Sequence, residues 1–284
     1  MSTENAYLQI PPKVAMINDI AGFGRCSSMV AIPVISVMGV QVCPLPTAIL
    51  SNHLGFPSCY FDDYTTHMAD YMDAWRKLSL SFEGLYCGFL GSEAQIALVE
   101  AFWELGFLSS SSFFLLDPVM GDHGRAYSSI TPSHISHMKS LAARADFLTP
   151  NITEACLLTD TPFKESGWTS EELVFLCEKL AAHSLTRQLH IVITGLHTPK
   201  GFSNFLWEDG HCDMVSSPSA GASRPGTGDI FASILTADAA KKRPFAHAVQ
   251  KASDFIFQCI KASEEAGIPV QDGVIFEPYL HTLA

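Results

Sequence analysis

The stretch Arg224-Pro225-Gly226-Thr227-Gly228-Asp229-Ile230-Phe231-Ala232 decides the fold of this chain. Two glycines bracket a threonine, an aspartate follows, and an apolar run continues to Leu235. This order predicts a tight turn that opens directly into a buried helix. Glycine lets a backbone approach a ligand closely, and the first amides of a helix have no partner within the helix. Together with the positive end of the helix dipole, these amides form a natural cradle for phosphate.

Asp229, in the first turn of that helix, has two interpretations. An acidic residue there compensates the helix dipole in many proteins. Alternatively, Asp229 is a general base beside a bound phosphate and takes a proton from an attacking hydroxyl group. The motif alone does not separate the two interpretations, so the rest of the sequence has to decide.

Length and charge limit the kinds of protein that this sequence can encode. With 284 residues the chain can bury a sizeable core, and we expect a flexible arm over residues 1–12 and a single domain over 13–284. The net charge is −12, from 17 basic and 29 acidic residues. A charge of this sign argues against nucleic acid or an anionic membrane as a partner.

Cysteine usage and the amino terminus indicate the cytoplasm. The eight cysteines are scattered without a CxxC motif, as in proteins that keep their thiols reduced. The amino terminus lacks a basic start followed by an apolar run, and no apolar stretch approaches the roughly 18 residues of a membrane helix. We therefore expect a cytoplasmic protein.

Strand and helix patterns alternate along most of the chain, which predicts an α/β fold with a mainly parallel central sheet. Two stretches, Thr47–Phe56 and Ser109–Ser112, have the composition of loops. Gly22 and Gly24 follow the first strand and suggest a dinucleotide fingerprint. However, Ser27 occupies the position of its third glycine, and no acidic residue for a ribose lies between positions 19 and 62.

Polar residues follow three of the predicted strands, at the edge of the sheet where ligands bind in such folds. They lie in Asp117–Asp122, Thr149–Glu154 and Thr194-Gly195. Asn151 and Glu154 also match a helix capping box, which needs no ligand. Several carboxylates at one edge repel each other unless a cation joins them, and their oxygens suit Mg²⁺ bound with a nucleotide. No GxxxxGK[ST] motif is present, so the chain is not a P-loop protein.

Five segments together resemble the pyridoxal kinases of the ribokinase-like superfamily, over most of residues 13–265. They are Leu50-Ser51-Asn52-His53-x-Gly55, Gly88-Phe89-Leu90-Gly91-Ser92, Asp117-Pro118-Val119-Met120-Gly121-Asp122, Thr149-Pro150-Asn151-x-x-Glu154 and Gly226-Thr227-Gly228-Asp229. The resemblance implies a three-layer ribokinase-like sandwich with helices on both faces of the sheet. It also implies transfer of phosphate from ATP to the 5′-hydroxymethyl group of pyridoxal, pyridoxamine or pyridoxine, by a homodimer.

The resemblance implies a role for each matching residue. Asp229 is the base that takes the hydroxymethyl proton, and Gly226, Thr227 and Gly228 form an anion hole for the transferred phosphate. The residues implied to hold Mg²⁺–ATP, largely through waters, are Asp122, Asn151 and Glu154. The further nucleotide contacts are Thr194, Gly195 and Thr227. The residues that resemble a monovalent-cation site, for K⁺, are Asp117, Thr149 and Thr194.

Three residues near the implied pyridine site depart from the family's pattern. Leu54 replaces the usual threonine, Phe89 the usual tyrosine, and Asp19 a serine that often touches the ring. The residues implied to contact the substrate are Asp19, Ser51, His53, Leu54, Phe89 and Asp229. These departures leave the preferred substrate open. One alternative is a hydroxymethylpyrimidine kinase of thiamine synthesis, and another is a non-catalytic, nucleotide-binding regulatory protein.

Overall fold

A computed structural model describes residues 10–198 and 201–284. Nine strands form one sheet, and two short ones pair separately. In chain order the strands are β1 (Lys13–Ala21), β2 (Gln41–Leu50), β3 (Phe61–Asp63), β4 (Phe82–Cys87), β5 (Leu108–Leu116), β6 (Gly121–Asp122), β7 (Arg125–Ala126), β8 (Phe147–Leu148), β9 (His190–Thr198), β10 (Gly201–Glu208) and β11 (His211–Pro218). The order in the large sheet is β11-β10-β9-β8-β5-β4-β1-β2-β3.

The centre of the sheet is parallel and its edges are antiparallel. Strands β2, β1, β4, β5, β8 and β9 pair in parallel, whereas β3 at one edge and β10 and β11 at the other are antiparallel. The parallel strands are rich in apolar residues because both faces of the sheet are covered. Most of the predicted arm, residues 1–9, lies outside the described residues.

Helices cover both faces of the sheet. They are α1 (Ser28–Val37), α2 (Thr65–Lys77), α3 (Glu93–Glu104), α4 (Pro132–Ala142), α5 (Ile152–Thr159), α6 (Ser170–Ala181), α7 (Thr227–Ala240) and α8 (Phe245–Glu265). Buried residues of α1, α7 and α8 pack on one face, and those of the other five helices pack on the opposite face. The predicted three-layer α/β sandwich is confirmed. In the part of the chain that the structure describes, no helix is long and apolar enough to cross a membrane.

The two predicted loops are wrong in part. Residues 47–50 belong to β2, where 48–50 pair with β3, and Ser109–Ser112 belong to β5. Serine has little preference for strands, but the Ser112 hydroxyl donates to the Phe82 carbonyl of β4 at 2.7 Å. Side-chain bonding to the neighbouring strand therefore overrides the local preference.

Candidate active site

The turn in front of α7 requires glycine at one position and leaves space at another. Gly226 has a φ of 81°, and a β-carbon there would lie 1.9 Å from the Arg25 carbonyl oxygen. At Gly228 the nearest neighbour of a β-carbon would be Asp117 Oδ2, at 3.9 Å. Gly226 therefore allows two backbone segments to touch, whereas Gly228 keeps open the space between the start of α7 and Asp117.

Asp229 is held by one hydrogen bond on each carboxylate oxygen. The Asn18 side-chain amide donates to Oδ1 at 3.2 Å, and the Ser27 backbone N–H donates to Oδ2 at 2.8 Å. Burial raises the pKa of Asp229 above its ordinary value, and both hydrogen bonds oppose that rise. The result is an oriented carboxylate with increased basicity, which suits a general base.

Two further carboxylates, those of Asp117 and Glu154, are buried. The Thr149 hydroxyl donates to Asp117 Oδ1 at 3.1 Å. Burial, and then the charge of Asp229, raise the pKa of Asp117, while burial and the charge of Asp117 raise that of Glu154. Such a group of acids is electrostatically unfavourable when ionised, so a cation bound with a nucleotide would stabilise it.

Asn151 and Glu154 form a complete capping box at the start of α5. Asn151 Oδ1 accepts from the Glu154 N–H at 2.9 Å, and Glu154 Oε2 accepts from the Asn151 N–H at 2.8 Å. Glu154 Oε1 also accepts from the Met120 N–H at 3.1 Å, and the Asn151 amide donates to the Gly121 carbonyl at 2.8 Å. The pair thus ties α5 to the loop after β5, and the capping interpretation is confirmed.

The described part of the chain has no preformed cluster of three metal-ligating side chains. Across residues 10–198 and 201–284, no three His, Cys, Asp or Glu side chains are arranged to hold a metal ion. The Asp122 side chain, at the end of β6, is 49% exposed, and its Oδ1 accepts from the His123 N–H. Asp122 is free to meet a hydrated cation, whereas Glu154 already accepts two backbone hydrogen bonds. The roles of both residues toward Mg²⁺–ATP remain predictions.

The predicted monovalent-cation residues lie on neighbouring strands. Asp117 follows β5, Thr149 follows β8, and Thr194 is in β9. The Thr194 N–H donates to the Pro150 carbonyl at 2.9 Å, which extends the β8–β9 pairing. Gly195, with a φ of 69°, donates its N–H to Asn204 Oδ1 at 3.2 Å. Asp117 and Thr149 thus follow their strands, as predicted, whereas the prediction that Thr194 and Gly195 end a strand is wrong because β9 continues to Thr198.

Asp19 lies at an irregularity of β1, where the pairing with β2 shifts register between Asn18 and Ile20. Such bulges redirect side chains and are frequent near active sites. Asp19 is only 6% exposed, and burial raises its pKa to about 7. A hydrogen bond with the Ser27 side chain opposes this rise, and the charge of Asp229 adds to it.

Both ring nitrogens of His53 form hydrogen bonds within the protein, and these bonds order its loop. Its Nδ1 accepts from the Gly55 N–H at 3.1 Å, so Nε2 carries the proton and donates to the Gln271 carbonyl at 2.8 Å. The ring also packs against Phe56, with centroids 4.6 Å apart. Leu54, in the same loop, is 56% exposed.

Ser51, through its hydroxyl, and Phe89, through its backbone carbonyl, form hydrogen bonds with other residues of the protein. The Ser51 hydroxyl donates to Asn52 Oδ1 at 2.7 Å and accepts from the Tyr60 N–H at 2.9 Å. The Phe89 carbonyl accepts from the buried Thr47 hydroxyl at 2.9 Å. The substrate contacts of both residues remain predictions.

Two groups that hold Asp229 were not predicted from the sequence. Asn18 is a polar residue late in a buried strand, as Asp117 is at the end of β5, so the same rule applied to β1 would have found it. Ser27 acts through its backbone N–H, which no side-chain pattern reveals.

The sequence and the fold of this chain are similar to those of known proteins. A model of the phosphomethylpyrimidine kinase family matches residues 79–273. The chain belongs to the phosphomethylpyrimidine kinase family. A Bacteroides thetaiotaomicron protein assigned to the phosphomethylpyrimidine kinases, crystallised with pyridoxal, is 36% identical with a TM-score of 0.90, and 96% of each chain is covered.

The chain is also similar to pyridoxal kinases. The crystal structure of pyridoxal kinase from Lactobacillus plantarum is 25% identical with a TM-score of 0.88, covering 96% of each chain. A pyridoxine/pyridoxal/pyridoxamine kinase of Bordetella pertussis is 25% identical over 279 residues, which cover 92% of this chain and 93% of the relative. The resemblance to pyridoxal kinases is confirmed.

Proposed function

We propose that the protein is an ATP-dependent kinase that phosphorylates the 5′-hydroxymethyl group of pyridoxal, pyridoxamine or pyridoxine. One observation gives this proposal its main support. The Asp229 carboxylate, oriented by two hydrogen bonds, stands one residue from the open space that Gly228 leaves beside Asp117. A base and a set of helix amides in one turn meet the main needs of phosphoryl transfer to an alcohol.

In the proposed reaction Asp229 accepts the proton of the substrate's hydroxymethyl group. The oxygen then bonds to the γ-phosphorus of ATP, and the bond between that phosphorus and the bridging oxygen breaks to release ADP. The turn formed by Gly226, Thr227 and Gly228 would hold the transferred phosphate with its amides. Glycine is suited to position 226 because the Arg25 carbonyl lies too close for a side chain, and to position 228 because it leaves open the space proposed for phosphate.

Nucleotide binding would involve the adjacent strand ends and a divalent cation, for which we propose Mg²⁺. When bound, the cation neutralises phosphate charge. Burial and then the neighbouring carboxylates raise the pKa of Asp117 and Glu154, and a bound cation would offset both effects. The residues proposed to contact Mg²⁺–ATP, in part through water, are Asp122, Asn151, Glu154, Thr194, Gly195 and Thr227. The residues proposed for K⁺ are Asp117, Thr149 and Thr194.

The substrate class is supported by the comparisons. The Bacteroides relative was crystallised with pyridoxal, and the relatives from Lactobacillus and Bordetella are pyridoxal kinases. Membership of the phosphomethylpyrimidine kinase family favours a second candidate, a kinase of hydroxymethylpyrimidine. The intact Asp229 and glycine turn argue against a non-catalytic protein. A cytoplasmic homodimer is part of the proposal.

Product analysis tests these candidates. The protein is incubated with Mg-ATP and pyridoxal, pyridoxamine, pyridoxine or hydroxymethylpyrimidine, and the products are separated. We expect a phosphate ester of each vitamer. Phosphorylation of the pyrimidine alone would favour the second candidate, and no product from any compound would contradict both kinase assignments.

A further inference from the structure

We infer that Asn18 is a positioning residue that aims the Asp229 carboxylate for proton abstraction. The inference rests on the proposed role of Asp229 as the base. Asn18 lies in β1 with 1% of its surface exposed, and its Nδ2 donates to Asp229 Oδ1 at 3.2 Å. The base stands in α7, which is 211 positions away in sequence, so this contact links two distant elements.

The orientation of the Asn18 amide is fixed by its other partners. Asn18 Oδ1 accepts from the backbone N–H groups of Asp19 and Phe89, both at 3.0 Å. A backbone N–H can only donate, so the oxygen must lie on that side and the NH₂ group on the side of Asp229. The group that donates to Asp229 is therefore the NH₂ of the Asn18 side chain.

The surrounding backbone is built to accommodate this side chain. The parallel pairing of β1 and β4 reaches Ile17 and Cys87, and the Gly88 N–H donates to the Ile17 carbonyl at 2.9 Å. The Asn18 side chain accepts the N–H that follows, from Phe89. A β-carbon at Gly88 would lie 2.7 Å from the Asn18 amide carbon. Glycine at 88 thus lets Asn18 tie β1, β4 and α7 together beside the base.

The Asn18 hydrogen bond also has an electrostatic consequence. It lowers the pKa of Asp229 and so opposes the effect of burial. The titratable groups whose charges interact with Asp229 are Asp19, Cys26, Tyr86, Asp117 and Tyr127. Their ionised forms are all negative, so the donors from Asn18 and Ser27 are the groups that oppose the rise in the pKa of Asp229.

The variant Asn18→Asp tests this role because it preserves shape and the acceptor oxygen but removes the donor. We expect kcat with pyridoxal to fall at least about 10-fold, with KM for ATP and pyridoxal changed less than about threefold. The acid limb of the kcat–pH profile should move to higher pH. Asp146→Asn is the matched control, since Asp146 accepts from the Phe114 N–H at the amino end of β8, away from the base. It should leave kcat and its profile unchanged.

A thermal double-mutant cycle tests the contact without any substrate. Asn18→Asp should lower Tm, and adding Asp229→Asn should recover part of that loss, because the exchanged pair again has one donor and one acceptor. Strictly additive Tm changes would overturn the contact. If the wild-type protein is active and Asn18→Asp is equally active, the positioning role of Asn18 is wrong while the proposed function stands. A wild-type protein inactive on every vitamer would overturn the proposed function and, with it, the positioning role.

Discussion

A β-carbon on Gly226 would lie 1.9 Å from the carbonyl oxygen of Arg25. The turn before α7 is therefore packed directly against the loop after β1, which also supplies the Ser27 N–H to Asp229. Arg25 and Ser27 adopt positive φ values of 47° and 55°, which are costly for residues other than glycine. Close packing of these two segments holds the proposed base in place.

Gly226→Ala should destabilise the whole protein. It combines an unfavourable φ of 81° with a clash against backbone that has no flexible side chain to move. We expect a loss of at least about 2 kcal/mol in the free energy of unfolding, measured by denaturant titration.

Gly228→Ala is the matched comparison in the same turn, because its methyl group would meet nothing closer than Asp117 Oδ2 at 3.9 Å. Its stability should stay within about 1 kcal/mol of wild type, while kinase activity falls because the methyl group occupies the space proposed for phosphate. Full activity of Gly228→Ala would contradict the proposed phosphate position.

Much of this site could be predicted from the sequence because strand ends of a parallel sheet meet at one edge. Asp117 and Thr149 lie at strand ends, as that rule predicts. Thr194 does not, because pairing with β10 extends β9 to Thr198. The chain gives no local sign that His53 bonds to Gln271, which is 218 positions away. Pairings of this kind depend on tertiary packing, so neither spacing nor composition reveals them.

Asp229→Asn should slow turnover by about 10²–10⁴-fold, because it keeps the shape of the side chain but removes the proton acceptor. ATP binding, measured by calorimetry, should change little since the proposed anion hole consists of backbone amides. Turnover within about threefold of wild type would exclude Asp229 as the base.

Asp122 and Glu154 should respond differently to replacement by alanine. Glu154 is buried and accepts two backbone hydrogen bonds, so Glu154→Ala should cost about 1–3 kcal/mol of stability. Asp122 is half exposed, and Asp122→Ala should change stability by less than about 0.5 kcal/mol. Both should raise the Mg²⁺ concentration for half-maximal activity. An unchanged Mg²⁺ requirement in Glu154→Ala would leave that residue with a capping role alone.

Asp19 should make vitamer preference depend on pH. With a pKa of about 7, its carboxyl is largely neutral at pH 6 and largely ionised at pH 8. An ionised carboxylate favours a cationic partner, and an alkylamine such as that of pyridoxamine stays protonated over this range. The ratio of kcat/KM for pyridoxamine to that for pyridoxal should therefore rise from pH 6 to 8. In Asp19→Ser the rise should disappear, and a rise of the same size in that variant would remove Asp19 from substrate recognition.

The most direct test of the central claim is transfer of labelled phosphate from [γ-³²P]ATP to pyridoxal, followed in the wild type and in Asp229→Asn. The wild-type protein should place the label on the 5′-oxygen of pyridoxal, and the variant should lose this transfer while still binding ATP. Absence of label in pyridoxal with the wild type, or undiminished transfer by the variant, would contradict it.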